Sequence, residues 1–279
     1  MSLLLALLLQ VGPFPGVDNM PTADDPLINR PPPRRVRGRN PVVQIEGITP
    51  SSQWLQECLN QIEEDPTRAH AMAQIRRTEA SGPDRVLANL CLGAASTELA
   101  RWDDARDAFL AAREGTPVAE PRARARFAAM AGNAAFEGAR QEEALALLAL
   151  AREDARAASD ATLEAIAATD AARVLVVMER SGEALAALQE ATRLAPQRPD
   201  GWLLYATLLR RLDRLGDAQA AIERAAALAP KDPEVGLEAG VIAVLDGRDE
   251  AARASWESVI ALDPDSPFAE TARGYLAQL

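Results

Sequence analysis

Residues 202–230 read WLLYATLLRRLDRLGDAQAAIERAAALAP, and residues 236–264 read GLEAGVIAVLDGRDEAARASWESVIALDP. The two segments are displaced by 34 positions. In the first, Trp202, Tyr205, Ala206 and Leu209 recur at helical spacing and mark one face of a helix. Gly216-Asp217 breaks that helix, and Ala218, Ile222 and Ala225 mark a second face, closed by Pro230. In the second segment, Ala252, Trp256, Val259 and Pro264 stand where Ala218, Ile222, Ala225 and Pro230 stood. The first-helix positions match more loosely, with Gly236, Ala239, Gly240 and Ala243 in place of the larger set. A repeat of this length made of two short helices defines the fold class.

The pattern continues toward the N-terminus. Ala184, Leu188, Ala191 and Pro196 repeat the second helix, and the step from Ala184 to Ala218 is again 34. Before them come Gly132, Ala135, Ala144, Leu148 and Ala151, and before those Leu92-Gly93, Ala105, Phe109, Ala112 and Pro117. The steps Ala105–Ala144 and Ala144–Ala184 are 39 and 40, so the early hairpins carry five or six extra residues in helices or turns. Residues 51–84 read as a degenerate first hairpin. Trp54, Leu55, Cys58, Leu59 and Ile62 lie on one face, Pro66 breaks it, and Ala71 and Ile75 follow. Residues 85–266 carry the repeats proper, and 267–279 a single capping helix.

Such a pair cannot bury both of its apolar faces alone, so hairpins stack and share a core. Gly93, Gly132, Ala172, Ala206 and Gly240 take one equivalent place on the first helices. Phe109, Leu148, Leu188, Ile222 and Trp256 are expected to fill the gap from the second. Acids recur just before each second helix: Asp103-Asp104, Glu142-Glu143, Glu183, Asp217 and Asp249-Glu250. A helix N-terminus favours negative charge, by about 0.3–1 kcal/mol each. These carboxylates therefore need no catalytic explanation.

Composition agrees. The 279 residues are 48% hydrophobic but only 4% aromatic, so small side chains fill the core. The net charge is -11. Nucleic-acid binding rests on cationic surface, which this balance disfavours. One His and two Cys leave little for a protein-built metal centre. No phosphate-binding glycine loop, Gly-x-Ser-x-Gly, His-Glu-x-x-His or Cys-x-x-Cys occurs. His70 has no nucleophile at suggestive spacing, and Trp54, Trp102, Trp202 and Trp256 read as packing residues. The expectation is no enzyme and no cofactor.

The first fifty residues differ from the rest. Met1–Val11, MSLLLALLLQV, is an apolar run too short for a bilayer, which needs about 20 residues. It fits the apolar core of a signal peptide, assigned to 1–16. No Lys or Arg precedes it and no clean Ala-x-Ala site follows, so a mis-assigned start, with Met20 first, is the other reading. Residues 17–50 are rich in Pro and Arg and read as a disordered linker. Arg30, Arg34, Arg35, Arg37 and Arg39 surround Pro31-Pro32-Pro33. They are either a solvated linker or a contact for an acidic partner or anionic lipid.

The 34-residue period, with a large residue, a Leu/Tyr-Gly/Ala pair, then Ala, a large residue, Ala and a closing Pro, resembles the tetratricopeptide repeat family. Trp202–Pro230 and Leu92–Pro117 carry it best, and the likeness covers residues 51–279. It implies an all-α, right-handed superhelical solenoid of stacked antiparallel hairpins. It also implies a non-enzymatic scaffold that binds a peptide or partner protein in the concave groove of its first helices. On the family's pattern, Arg126, Asn133, Arg173, Arg210 and Arg211 face that groove. They would form a positive strip suited to an acidic peptide or terminal carboxylate, or else an ordinary solvated face. The chaperone-binding subclass uses a Lys and Asn clamp. Asn133 matches one position, but Ala129 stands where its Lys should be and Lys231 is the only Lys in the chain, so that activity is not carried over.

In the same alignment Cys58 and Cys91 lie at similar heights on neighbouring first helices. They are either a disulfide closing a 33-residue loop, worth about 3–4 kcal/mol in the chain-entropy model, or two buried thiols. With the apolar N-terminus, a disulfide suggests export to the periplasm of a Gram-negative bacterium. The alternatives are a cytoplasmic adaptor or co-chaperone-like protein and, less favoured by charge, an RNA-binding helical repeat. No stable membrane span is expected.

Overall fold

The computed structural model describes residues 50–279, so the apolar run, the proposed linker and its arginines lie outside the described residues, Pro50 excepted. Every regular element in that range is an α-helix. None of these helices is long and apolar enough to cross a membrane. The chain forms two compact units, which meet in sequence at Gln197–Arg198.

The body of residues 50–197 holds four hairpins: α1 (Pro50–Glu64) with α2 (Pro66–Glu79), α3 (Gly82–Glu98) with α4 (Trp102–Gly115), α5 (Pro121–Glu137) with α6 (Gln141–Ala157), and α7 (Ala161–Val177) with α8 (Ser181–Leu194). The body of residues 198–279 holds α9 (Pro199–Arg211) with α10 (Leu215–Leu228), α11 (Pro233–Leu245) with α12 (Asp249–Leu262), and α13 (Pro267–Leu276). The extra residues of the early repeats reside mainly in the helices. α3, α5 and α7 have 17 residues each, against 13 in α9 and α11, about one more helical turn.

The small residues of the first helices make the close crossings. A methyl group added at Gly93 would lie 2.5 Å from the Phe109 ring, and at Gly132 2.8 Å from Leu148. At Gly240 it would collide with the Trp256 indole, whose Nε1 donates to the Leu237 carbonyl at 3.2 Å. The large second-helix residue therefore seats directly on the small first-helix residue. Ala105, Phe109, Ala131, Ala144, Leu148 and Val174 form one core of the first body. Ala252, Trp256, Val259 and Ala272 form one core of the second.

Five hairpins turn in the same way. Ala100, Ala139, Glu179, Asp213 and Gly247 adopt positive φ, from 54° to 71°. In each, the following N–H reaches back five residues, as Arg140 N does to Ala135 O at 2.8 Å. The left-handed residue bonds three back, as Ala139 N does to Phe136 O at 2.9 Å. This is the Schellman ending. The next helix then begins from an arginine N-cap: Arg101, Arg140, Arg180, Arg214 or Arg248. The recurring acids fall in the first turn that follows. Arg180 grips Glu183 at 2.7 Å within its own helix, whereas Arg140 reaches back to Asp103 of α4 at 2.7 Å. Arg106 of α4 also meets Glu143 of α6 at 3.3 Å. Arg-x-x-acid is thus both a helix start and a tie between successive second helices.

Candidate functional site

The first helices of the body 50–197 present Leu90, Ala94, Ala129, Met130, Phe136 and Val177 half-buried. Leu90, Ala129, Met130 and Phe136 are the outer layer of side chains whose inner layer is the Phe109–Leu148 core. On α5, Arg126, Ala129, Asn133 and Phe136 fall at intervals of three or four and share one face. Arg126 is exposed at one end of that face. In its middle the Asn133 Nδ2 donates to Asp170 Oδ2 of α7 at 3.1 Å. Arg173 lies 3.5 Å from the other oxygen of Asp170. Asn133 and Arg173 are thus joined by a carboxylate that the sequence reading did not single out.

Glu137 closes the far end of α5. It is half-buried, and burial raises its carboxyl above the ordinary value, although the Arg173 charge pulls the other way. Glu98 is exposed at the end of α3. The face is therefore polarised: Arg126 at one edge, apolar side chains with the Asn133–Asp170–Arg173 group between, and carboxylates at the other edge.

The remaining two arginines belong to the body 198–279. Arg210 of α9 makes a two-pronged contact with Glu238 of α11, Nε to Oε1 at 2.6 Å and Nη2 to Oε2 at 3.3 Å. Glu238 is 0% exposed. Arg210 thus holds two successive first helices together, and its guanidinium is committed to that carboxylate. Arg211, beside it, is half-buried. Asp170 three residues before Arg173 was a readable signal for a paired arginine. So was Glu238, an acid inside the otherwise apolar run GLEAGVIAVL, where an unpaired charge would not be tolerated.

Cys58 and Cys91 are joined by a disulfide, with Cα atoms 6.4 Å apart, linking α1 to α3. Both residues are fully buried. His70 lies close by in sequence, on α2, buried. Desolvation chiefly, with the charges of Arg101 and Arg77, lowers its pKa, opposed by Asp104. Among the described residues no group of three or more His, Cys, Asp or Glu is placed to hold a metal ion.

Stacked hairpins whose first helices share a face, crossed through small residues and ended by one repeated turn, define a helical-repeat protein. The tetratricopeptide repeat family profile matches residues 178–239, and the solved structures that resemble this chain share its all-helical, stacked-hairpin fold. The type IV pilus biogenesis factor PilW matches with a TM-score of 0.63 at 20% identity, covering 81% of this chain and 99% of its own. PilF of Pseudomonas aeruginosa matches with a TM-score of 0.61 at 17% identity, over 82% and 97%. BtubC of P. vanneervenii matches with a TM-score of 0.57 at 14% identity, over 77% and 91%. No curated protein sequence matches the chain.

Proposed function

We propose that the protein is a non-catalytic scaffold that holds a segment of a partner protein against the first-helix face of residues 50–197. The observation that carries this reading is that face itself. It combines half-exposed apolar side chains, a fixed polar group at Asn133–Asp170–Arg173, and charge of opposite sign at its two edges. Apolar area supplies affinity, and the few placed polar groups supply register.

An acidic group on the partner would be met by Arg126, the exposed cation among the three sequence candidates in this body. Arg173 and Arg210 support such a partner only indirectly, since each already faces a carboxylate. We place the protein in the bacterial cell envelope, most simply the periplasm. The support is the apolar stretch Met1–Val11, the Cys58–Cys91 bond and the likeness in fold to the type IV pilus biogenesis factor PilW. A cytoplasmic adaptor is the alternative.

The test is capture from the native host with Arg126→Glu and Asn133→Ala, each against Glu57→Ala on the exposed side of α1. The proposal expects one partner to be lost in both variants and kept in the control. Equal capture by all three would refute it. Intact mass of the host protein decides the compartment. A chain shortened by a dozen or more residues supports export, and one starting at Met1 or Met20 supports the cytoplasm.

A further inference from the structure

The first hairpin is held differently from those that follow. Of the described side chains of α1 only Cys58 is fully buried, with Trp54, Leu55 and Ile62 packed beside it at partial depth. Its polar side chains bond within the helix, Gln53 to Glu57 at 3.0 Å and Gln56 to Asn60 at 2.9 Å. α2 offers it the small residues Ala69 and Ala73 and the Arg76 guanidinium, 5.7 Å above the Trp54 ring. Four buried polar atoms of α2 and α3 have no hydrogen-bond partner: His70 Nε2, Arg76 Nε, Asn89 Oδ1 and Ser96 Oγ. Each lowers the stability of this layer. The later hairpins of the same body instead have the Phe109 and Leu148 wedges and ties such as Arg113–Asp154 at 2.7 Å. The strong tie of α1 to its neighbour is covalent, and it closes a loop of 33 residues.

We propose that Cys58–Cys91 is a redox latch on the first hairpin. A dithiol reductant delivers two electrons and two protons. The Cys58–Cys91 bond breaks to two thiols, and the reductant leaves as its own disulfide. Both sulfurs are buried, so exchange proceeds through brief opening of α1. With the loop constraint gone, the apolar contacts of α1 are too few to keep it docked. It detaches from α3 and uncovers Cys91, Leu92 and Ala95. The row of first helices then begins at α3, so the first-helix face is one helix shorter. This inference does not depend on what the face binds.

Hydrogen exchange of the full chain, oxidised and after dithiothreitol in native buffer, tests it, with thiol alkylation as the readout of the bond. The expected result is that both thiols alkylate and the amides of α1 exchange about a hundredfold faster or more, while α5–α8 keep their protection. A Cys58→Ser/Cys91→Ser variant should reproduce that pattern, with α5–α8 as the internal standard of folding. Three results would overturn the latch: free thiols with α1 still protected, loss of protection throughout α1–α8 together, or a bond that resists the dithiol.

Discussion

At Ala139 the backbone adopts φ 57° to end α5, a conformation that costs an L-residue with a Cβ about 1–2 kcal/mol. The same turn accepts Gly247 elsewhere in the chain. Ala139→Gly should therefore raise stability, by about 0.5–1 kcal/mol after glycine's larger unfolded-state entropy is subtracted; a lowered denaturation midpoint would contradict it. Arg210→Ala is expected to act in the opposite direction. It strands Glu238 without its partner at a fully buried site, which costs about 3–5 kcal/mol. Chemical denaturation should show most of that cost removed by adding Glu238→Leu, because the buried charge then disappears. Glu137 gives a pH signature. Its folded pKa is raised by burial, so its contribution favours folding below the ordinary carboxylate value and is lost as pH rises through the raised one. Glu137→Gln should accordingly raise the melting temperature at pH 7, with the difference shrinking below about pH 4.

At the level of the elements, the hairpin was legible because one large and one small residue recur in register. Phe109 on Gly93, Leu148 on Gly132 and Trp256 on Gly240 are the contacts that the 34-to-40-residue spacing pointed to. Gly132→Ala should cost about 1–3 kcal/mol, the penalty of overfilling a packed crossing. Leu148→Ala in the same chain should recover part of that cost, which a double-mutant cycle would read as coupling of opposite sign to simple addition. The arginine N-caps were not read from sequence, although Arg-x-x-acid stands at 101, 140, 180 and 214, with Arg-Asp-Glu at 248. Helix starts are ordinarily sought as Ser, Thr, Asp or Asn. Here the turn is fixed by backbone bonds, leaving the arginine side chain to pair across hairpins. The groove strip was legible only in part. Helical spacing put Arg126 and Asn133 on one face, but period alone cannot show that Asp170 and Glu238 already face Arg173 and Arg210, because those pairs join different helices.

Across the whole molecule the acidic balance, -11, sits beside many arginines already paired with carboxylates. Hydrogen bonds from Arg140, Arg180 and Arg193 hold Asp103, Glu183 and Glu190 below the ordinary carboxylate range. Their contribution is present above about pH 4 and lost as pH falls through the lowered values. Thermal unfolding followed from pH 7 to pH 2 should show stability falling most steeply below pH 4, and an unchanged melting temperature over that range would contradict it. The function proposed for the molecule rests on one face. A photo-crosslinking side chain placed at position 126, on that face, and separately at position 153, on exposed α6, tests it directly in the native host. The account predicts a single protein cross-linked from 126 and nothing discrete from 153. Cross-linking from 153 alone would contradict it.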